Sequence, residues 1–165
     1  MALELRPATE ADLFFMIGLE TEPEAKPWLA RWTRERHLEA FRSADEEPLI
    51  VEDDGEPVGY ALLSGIGSEH GSIEVRRIVV ARKGEGVGRR ALKLVVDRAF
   101  EEYAPHRVWL DLMTGNERAQ RAYEAVGFTR EGVLRESLLT YDGYKSMILM
   151  SILEQEWAER GTDRG

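Results

Sequence analysis

Lys83-Gly84-Glu85-Gly86-Val87-Gly88 stands between a run of β-formers, Ile73 to Val80, and an amphipathic segment that opens at Arg89. Glycines at alternating positions let the backbone come close to a ligand. A helix starting there offers its unpaired N–H groups and the positive end of its dipole. The chemistry implied is the holding of an anion, and a phosphate is the simplest choice. Two common phosphate carriers are excluded by spacing. A dinucleotide loop needs G-x-G-x-x-G, whereas these glycines fall at 84, 86 and 88. A nucleotide P-loop ends in Gly-Lys-Ser/Thr, whereas Gly88 is followed by Arg89-Arg90 and no Mg²⁺-binding hydroxyl. The plain alternative is a tight strand–helix turn that needs glycine for its backbone alone.

The elements around this loop are readable from period and caps. Leu3 to Arg6 alternates as a first strand. Thr9 caps a helix with Asp12 as its capping-box acid and Leu13, Phe14, Met16 and Ile17 as its apolar side. A second helix is expected over Pro27 to Ser43, with Trp32 in the core and Trp28 either in the core or over a ligand. Leu49 to Val51 and Val58 to Leu63 flank Asp53-Asp54-Gly55-Glu56, a hairpin signal. Ile73 to Val80 follows, then a helix from Gly88 to Tyr103 with Ala91, Leu92, Val95, Val96, Ala99 and Phe100 on one face. Arg107 to Leu112 alternates as a fifth strand. Asn116 caps a short helix that carries Ala119, Ala122, Tyr123 and Val126 and closes at Gly127. Thr129 to Thr140 and Tyr144 to Leu153 form a last hairpin around Asp142-Gly143. This order is neither a regular βαβ repeat nor all-β. It predicts an α+β fold with a mixed, mostly antiparallel sheet.

The chain has 165 residues, 43% apolar and 32% charged, and reads as one domain over residues 1–158 with a polar tail over 159–165. Without cysteine there is no disulfide, thiolate metal site or cysteine nucleophile. His37, His70 and His106 have no ligand spacing, are expected at surface or turn positions, and suggest no metal. The net charge of −9 argues against nucleic-acid binding and suits a cationic substrate. Neither a membrane span nor a signal peptide is evident, so a cytoplasmic location is expected by default.

Lys83-x-x-Gly86-x-Gly88 resembles the [Gln/Arg]-x-x-Gly-x-[Gly/Ala] pyrophosphate loop of the GNAT N-acetyltransferase superfamily, with Lys in place of Gln or Arg. Asn116-x-x-Ala119-x-x-x-Tyr123-x-x-x-Gly127-Phe128 resembles the second signature of that family. The element order resembles the family fold over nearly the whole chain, and Glu131 to Glu136 with Tyr144 to Leu153 is most similar to the ribosomal-protein and small-amine branch. The aspartate frequent near Ser146 in that branch is absent. The resemblance implies about six or seven strands, about four helices, and a fourth and fifth strand that splay apart around acetyl-CoA.

By that resemblance, backbone N–H groups of Gly84, Glu85, Gly86, Val87, Gly88 and Arg89, after Lys83, cradle the pyrophosphate. Glu85 sets a negative charge in that loop. Ile78 and Val80 offer backbone groups to the pantetheine arm in the manner of an added strand. Asn116 caps its helix and also touches the cofactor. Tyr123, otherwise a core aromatic, protonates the departing thiolate. Glu74 is the expected base for an amine that is mostly protonated at neutral pH; otherwise it is one acid among 31 on a sheet face. The reaction implied is acetyl transfer from acetyl-CoA to a primary amine, on a small molecule or a protein N-terminus, without a metal. A homodimer is compatible with the resemblance, and a non-catalytic acyl-CoA-binding or sensing module is the alternative.

Overall fold

The computed structural model describes residues 2–81, 84 and 86–162. Seven strands, β1 (Leu3–Pro7), β2 (Glu46–Asp53), β3 (Glu56–Ser64), β4 (Ser72–Val80), β5 (Arg107–Met113), β6 (Thr129–Thr140) and β7 (Gly143–Leu153), build one sheet in the order β1-β2-β3-β4-β5-β7-β6. Every neighbouring pair is antiparallel except β4 and β5. The β2–β3 hairpin turns on Asp54 and Gly55, both at positive φ, as a two-residue turn between twisted strands requires.

Helices α3 (Val87–Tyr103) and α4 (Glu117–Val126) lie on one face, where Leu92, Val95, Val96 and Phe100 pack with Val108, Leu110 and Ile152. Helix α1 (Leu13–Glu20) serves the other face, setting Met16 and Leu19 against Ile50, Tyr60 and Val79. Helix α2 (Arg34–Arg42) packs nearby, with Thr33 accepting from the Arg36 N–H as its cap.

Strand β4 carries two irregularities that matter for the site. Leu62 pairs with Arg77 but Leu63 pairs with Val75, so Arg76 is an extra, bulged residue. The bulge puts Arg76 and Arg77 on the same face, and both guanidinium groups lie over the Trp32 ring. On its other side β4 pairs with β5 only at Ser72–Arg107, Ile73–Val108 and Glu74–Trp109. Past Glu74 the two strands part, which is the splay expected from the family resemblance.

Four expectations need correction. The helix expected over Pro27 to Ser43 is two pieces: a 3₁₀ turn at Lys26–Trp28 and α2, separated where Leu29 is extended. Phe14 is 90% exposed, because α1 buries the narrow stripe Leu13, Met16 and Leu19. In an eight-residue helix that is apolar nearly all round, period alone does not choose the buried side. His37 is fully buried, while His70 and His106 are exposed. Last, Glu154–Thr162 forms a fifth helix, α5, which includes the start of the segment read as a tail. Trp157 stacks on Phe100 at 4.9 Å and donates to Asp97 at 2.8 Å, so one aromatic anchors an otherwise polar helix.

Candidate active site

The parting of β4 and β5 opens a cleft of about 1100 Å³ that is lined from both faces of the sheet. Its lining holds Ile78, Val80, Gly84, Gly86, Val87, Gly88, Arg89, Asn116, Tyr123 and Glu74 together. Lys83 and Glu85, also expected at the cofactor, lie outside the described residues.

The backbone of β4 is prepared for a ligand in this gap. Ala81 N–H donates to Val58 O on the β3 side. By strand alternation, Ile78 and Val80 then turn their N–H and C=O groups toward the open side, where β5 no longer pairs with them. Such unpaired groups invite an extended partner.

Next come the glycines. Gly84 has φ 86° and Gly86, the residue before α3, has φ 69°, a region that L side chains seldom enter. Gly88 is different. Its φ is not positive, and a Cβ there would meet only Val80 Cγ2 at an ordinary 3.7 Å. Turn geometry therefore accounts for two of the three glycines, while the third leaves open the approach to the first turn of α3.

Helix α4 supplies the other side. Asn116 Oδ1 accepts from Ala119 N–H at 3.2 Å, so its side chain is a helix cap at the cleft edge. Gly127, at φ 125°, closes the helix by donating to Tyr123 O and Glu124 O. Tyr123 packs against Phe128 at 6.2 Å between ring centres and lines the cleft. Burial, followed by the charge of Asp111, pushes its phenol up to about 12.

Glu74 stands in the last rung shared by β4 and β5. Burial, opposed by the charge of Arg76 and aided by those of Asp111 and Glu46, pushes its carboxyl up to about 7. Asp111, two residues past Trp109 on β5, is raised by burial as well, again against Arg76. Asp111 and Arg76 were not singled out in the sequence. A lone charge within Val108-Trp109-Leu110-Asp111-Leu112, and two adjacent arginines inside an alternating strand, were the signals available.

The remaining wall is the irregular segment between α1 and α2, with Pro23, Ala25, Trp28, Ala30 and Trp32 on the cleft. Trp32 is a half-buried wall residue and not the plain core residue expected. Its ring takes Arg36 at 4.1 Å, Arg77 at 4.7 Å and Arg76 at 5.6 Å. Trp28, left open by the sequence, is 42% exposed on the same wall. The described residues contain no group of three or more His, Cys, Asp or Glu side chains able to hold a metal ion. None of their helices is long and apolar enough to cross a membrane.

Comparison with known proteins agrees with this geometry. The spermidine N(1)-acetyltransferase of Escherichia coli K12 is 27% identical over 94% of this chain and 88% of its own. The aminoglycoside N(6′)-acetyltransferase type 1 of Klebsiella pneumoniae is 32% identical over 67% of this chain and 61% of its own. The crystal structure of spermidine N-acetyltransferase from Vibrio cholerae in complex with CoA and spermine superposes with a TM-score of 0.83 at 25% identity, covering 94% of this chain and 98% of that one. A family model described as the Acetyltransferase (GNAT) family matches residues 13–128. With residues of both signatures on one cleft and that match across most of its length, the chain belongs to the GNAT acetyltransferase family.

Proposed function

We propose that this acetyl-CoA-dependent N-acetyltransferase acts on a primary amine of a small polycationic molecule, with Glu74 as base and Tyr123 as acid. One observation carries the reading: β4–β5 pairing ends at Glu74, so a single cleft joins the glycine loop and Tyr123 to the carboxylates of Glu74 and Asp111. In this reading the pyrophosphate rests on Gly84 to Arg89 and the pantetheine arm runs along Ile78 and Val80. The acceptor enters past Trp28 and Trp32.

The amine nitrogen attacks the thioester carbonyl carbon once Glu74 has taken its proton. The tetrahedral species collapses with C–S cleavage, and Tyr123 gives its phenolic proton to the sulfur. The remaining excess proton on the nitrogen passes to the phenolate, which leaves the neutral amide and restores Tyr123. A phenol at about 12 is a weak acid toward a thiol of about 8.5 in water. Two effects reduce this mismatch. Desolvation raises the thiol too, and a cation bound beside Asp111 offsets the charge that raises Tyr123. Holding both reactants in one cleft supplies a further share of the rate. No step requires a metal.

Two carboxylates at the junction and a net charge of −9 support a cationic acceptor. So do the names of the relatives, which act on spermidine and on an aminoglycoside. The test is thiol release from acetyl-CoA with spermidine, an aminoglycoside, a monoamine, an amino acid and a peptide N-terminus. Polyamine or aminoglycoside should exceed the monoamine in kcat/KM by about tenfold or more. Silence with every amine, despite acetyl-CoA binding, would instead support a binding module.

A further inference from the structure

Glu20, His37, Tyr60 and Arg77 form a buried polar cluster on the sheet face away from α3, and acetyl transfer as described above uses none of them. Arg77 is 5% exposed, yet it sits only three residues beyond Glu74 on β4. Its Nε donates to Tyr60 Oη at 3.0 Å, and its Nη2 lies 3.1 Å from Glu20 Oε1. The Tyr60 hydroxyl also donates to Glu20. His37 Nε2 lies 2.9 Å from the same carboxylate oxygen, off the line of a well-aligned hydrogen bond. Glu20 is desolvated, but the close contact of the His37 ring, the charge of Arg77 and the hydrogen bond from Tyr60 together hold its carboxyl below the usual range. Burial takes Tyr60 far above the ordinary phenol range. Both directions describe one ion pair with a neutral phenol bridging it.

The remaining nitrogen of Arg77 leaves the cluster. Nη1 donates to Ala30 O at 2.8 Å, in the irregular wall of the cleft. The other hydrogen bonds of that wall stay within it, as from Ala25 to Glu22, Lys26 to Glu22 and Trp28 to Ala25, or join its ends to the flanking helices, as from Glu22 to Leu19 and from His37 to Thr33. Among the described residues, Arg77 to Ala30 is the hydrogen bond that ties the wall to the sheet. The same guanidinium lies over Trp32 two residues on.

We infer that Arg77 is a positioning residue for the acceptor side of the cleft: braced by Glu20 and Tyr60, it pins Ala30 and Trp32 to the strand that carries Glu74. The bulge at Arg76 makes this arrangement available, because without it Arg77 would point to the α3 face. Geometry selects arginine here. A planar fork serves three acceptors in three directions, whereas a lysine ammonium on a flexible stem does not hold them in register. The inference rests on the acceptor reading given above.

The experiment compares wild type with Arg77→Lys, Tyr60→Phe and the charge-neutral pair Glu20→Gln/Arg77→Met. The pair avoids a lone buried charge, so it keeps the test alive should the single variant fail to fold. Amide exchange is read on peptides over residues 26–33, with acetyl-CoA bound. Kinetics are read with the best amine of the panel. Exchange in 26–33 should rise by about tenfold, the worth of one charge-assisted hydrogen bond, while β5 and α3 peptides stay unchanged. Acceptor KM should rise by about the same factor, with kcat within about threefold and acetyl-CoA affinity unaltered. Unchanged exchange at 26–33 in all variants overturns the tie. Faster exchange with unchanged KM, or acetyl-CoA affinity falling in step, overturns its role at the acceptor. A wild type silent toward every amine leaves the exchange result decisive for the tie and counts against the acetyl-transfer reading instead.

Discussion

Glu74 and Trp109 form the last rung between β4 and β5, and Glu74 is where β4 first lines the cleft. A side chain at the end of a ladder is half in the sheet and half in the opening. That position accounts for its half-buried state and for a carboxyl raised to about 7.

Glu74→Gln should lower kcat/KM by about a hundredfold or more at pH 8 and erase the acidic limb near pH 7. The sign of the stability effect is opposite. The native protein holds this proton up to about pH 7, whereas the unfolded chain releases it near 4.5. The ionised group is thus a burden that grows as pH rises from 4.5 to 7 and is complete above that. The variant should be more stable than wild type by about 1–2 kcal/mol at pH 8 and equal to it at pH 4, as read by thermal melts.

Tyr123→Phe keeps the ring contact with Phe128 and removes only the hydroxyl. Turnover should fall by about a hundredfold, with acetyl-CoA affinity within about threefold. Stopped-flow thiol release and calorimetric titration separate the two. Equal turnover would return Tyr123 to the role of a core aromatic.

The glycines of the loop can be separated by substitution to alanine. Gly84→Ala and Gly86→Ala place a side chain at positive φ and should cost about 1–2 kcal/mol each in stability. Gly88→Ala lies in the first turn of α3 without strain or clash, so the melting temperature should hold or rise. CoA affinity should nevertheless drop by about tenfold if backbone N–H groups approach the pyrophosphate there. Unaltered affinity would make Gly88 a helix residue like any other.

Trp157→Ala removes the stacking on Phe100 and the hydrogen bond to Asp97. The expected cost is about 2–3 kcal/mol, or a melting temperature lower by about 5–10 °C. Acetyl-CoA affinity and kcat measured well below the transition should not change, because α5 lines no part of the cleft.

Much of the site was legible because its parts are local. A strand, a glycine-rich turn and a helix start occupy consecutive residues. Asn116 and Gly127 cap α4 as their types and spacing predict. Each of these signals acts over a few residues of backbone, so the chain order is enough to read it.

What stayed hidden depends on residues far apart in sequence. His37 is polar, and nothing near it announces that Glu20 and Tyr60 will enclose it beneath α2. Helix α5 has one apolar anchor, and its partner Phe100 is 57 residues earlier by subtraction of their numbers. Arg76-Arg77 reads as an ordinary pair until the register shift turns both onto one face.

The sequence alone therefore determined the parts: a strand, a glycine-rich turn and a helix in succession, a capped helix with a phenol, an acid on β4, and the α+β order that resembles the acetyltransferase family. The tertiary structure decided how they meet. Strand pairing stops at Glu74, Asp111 arrives from a different strand, and the Arg77 cluster anchors the wall opposite. Local backbone preferences are written in neighbouring residues, whereas sheet register and the burial of charge depend on the whole packed chain, and these set the shape and protonation of the cleft.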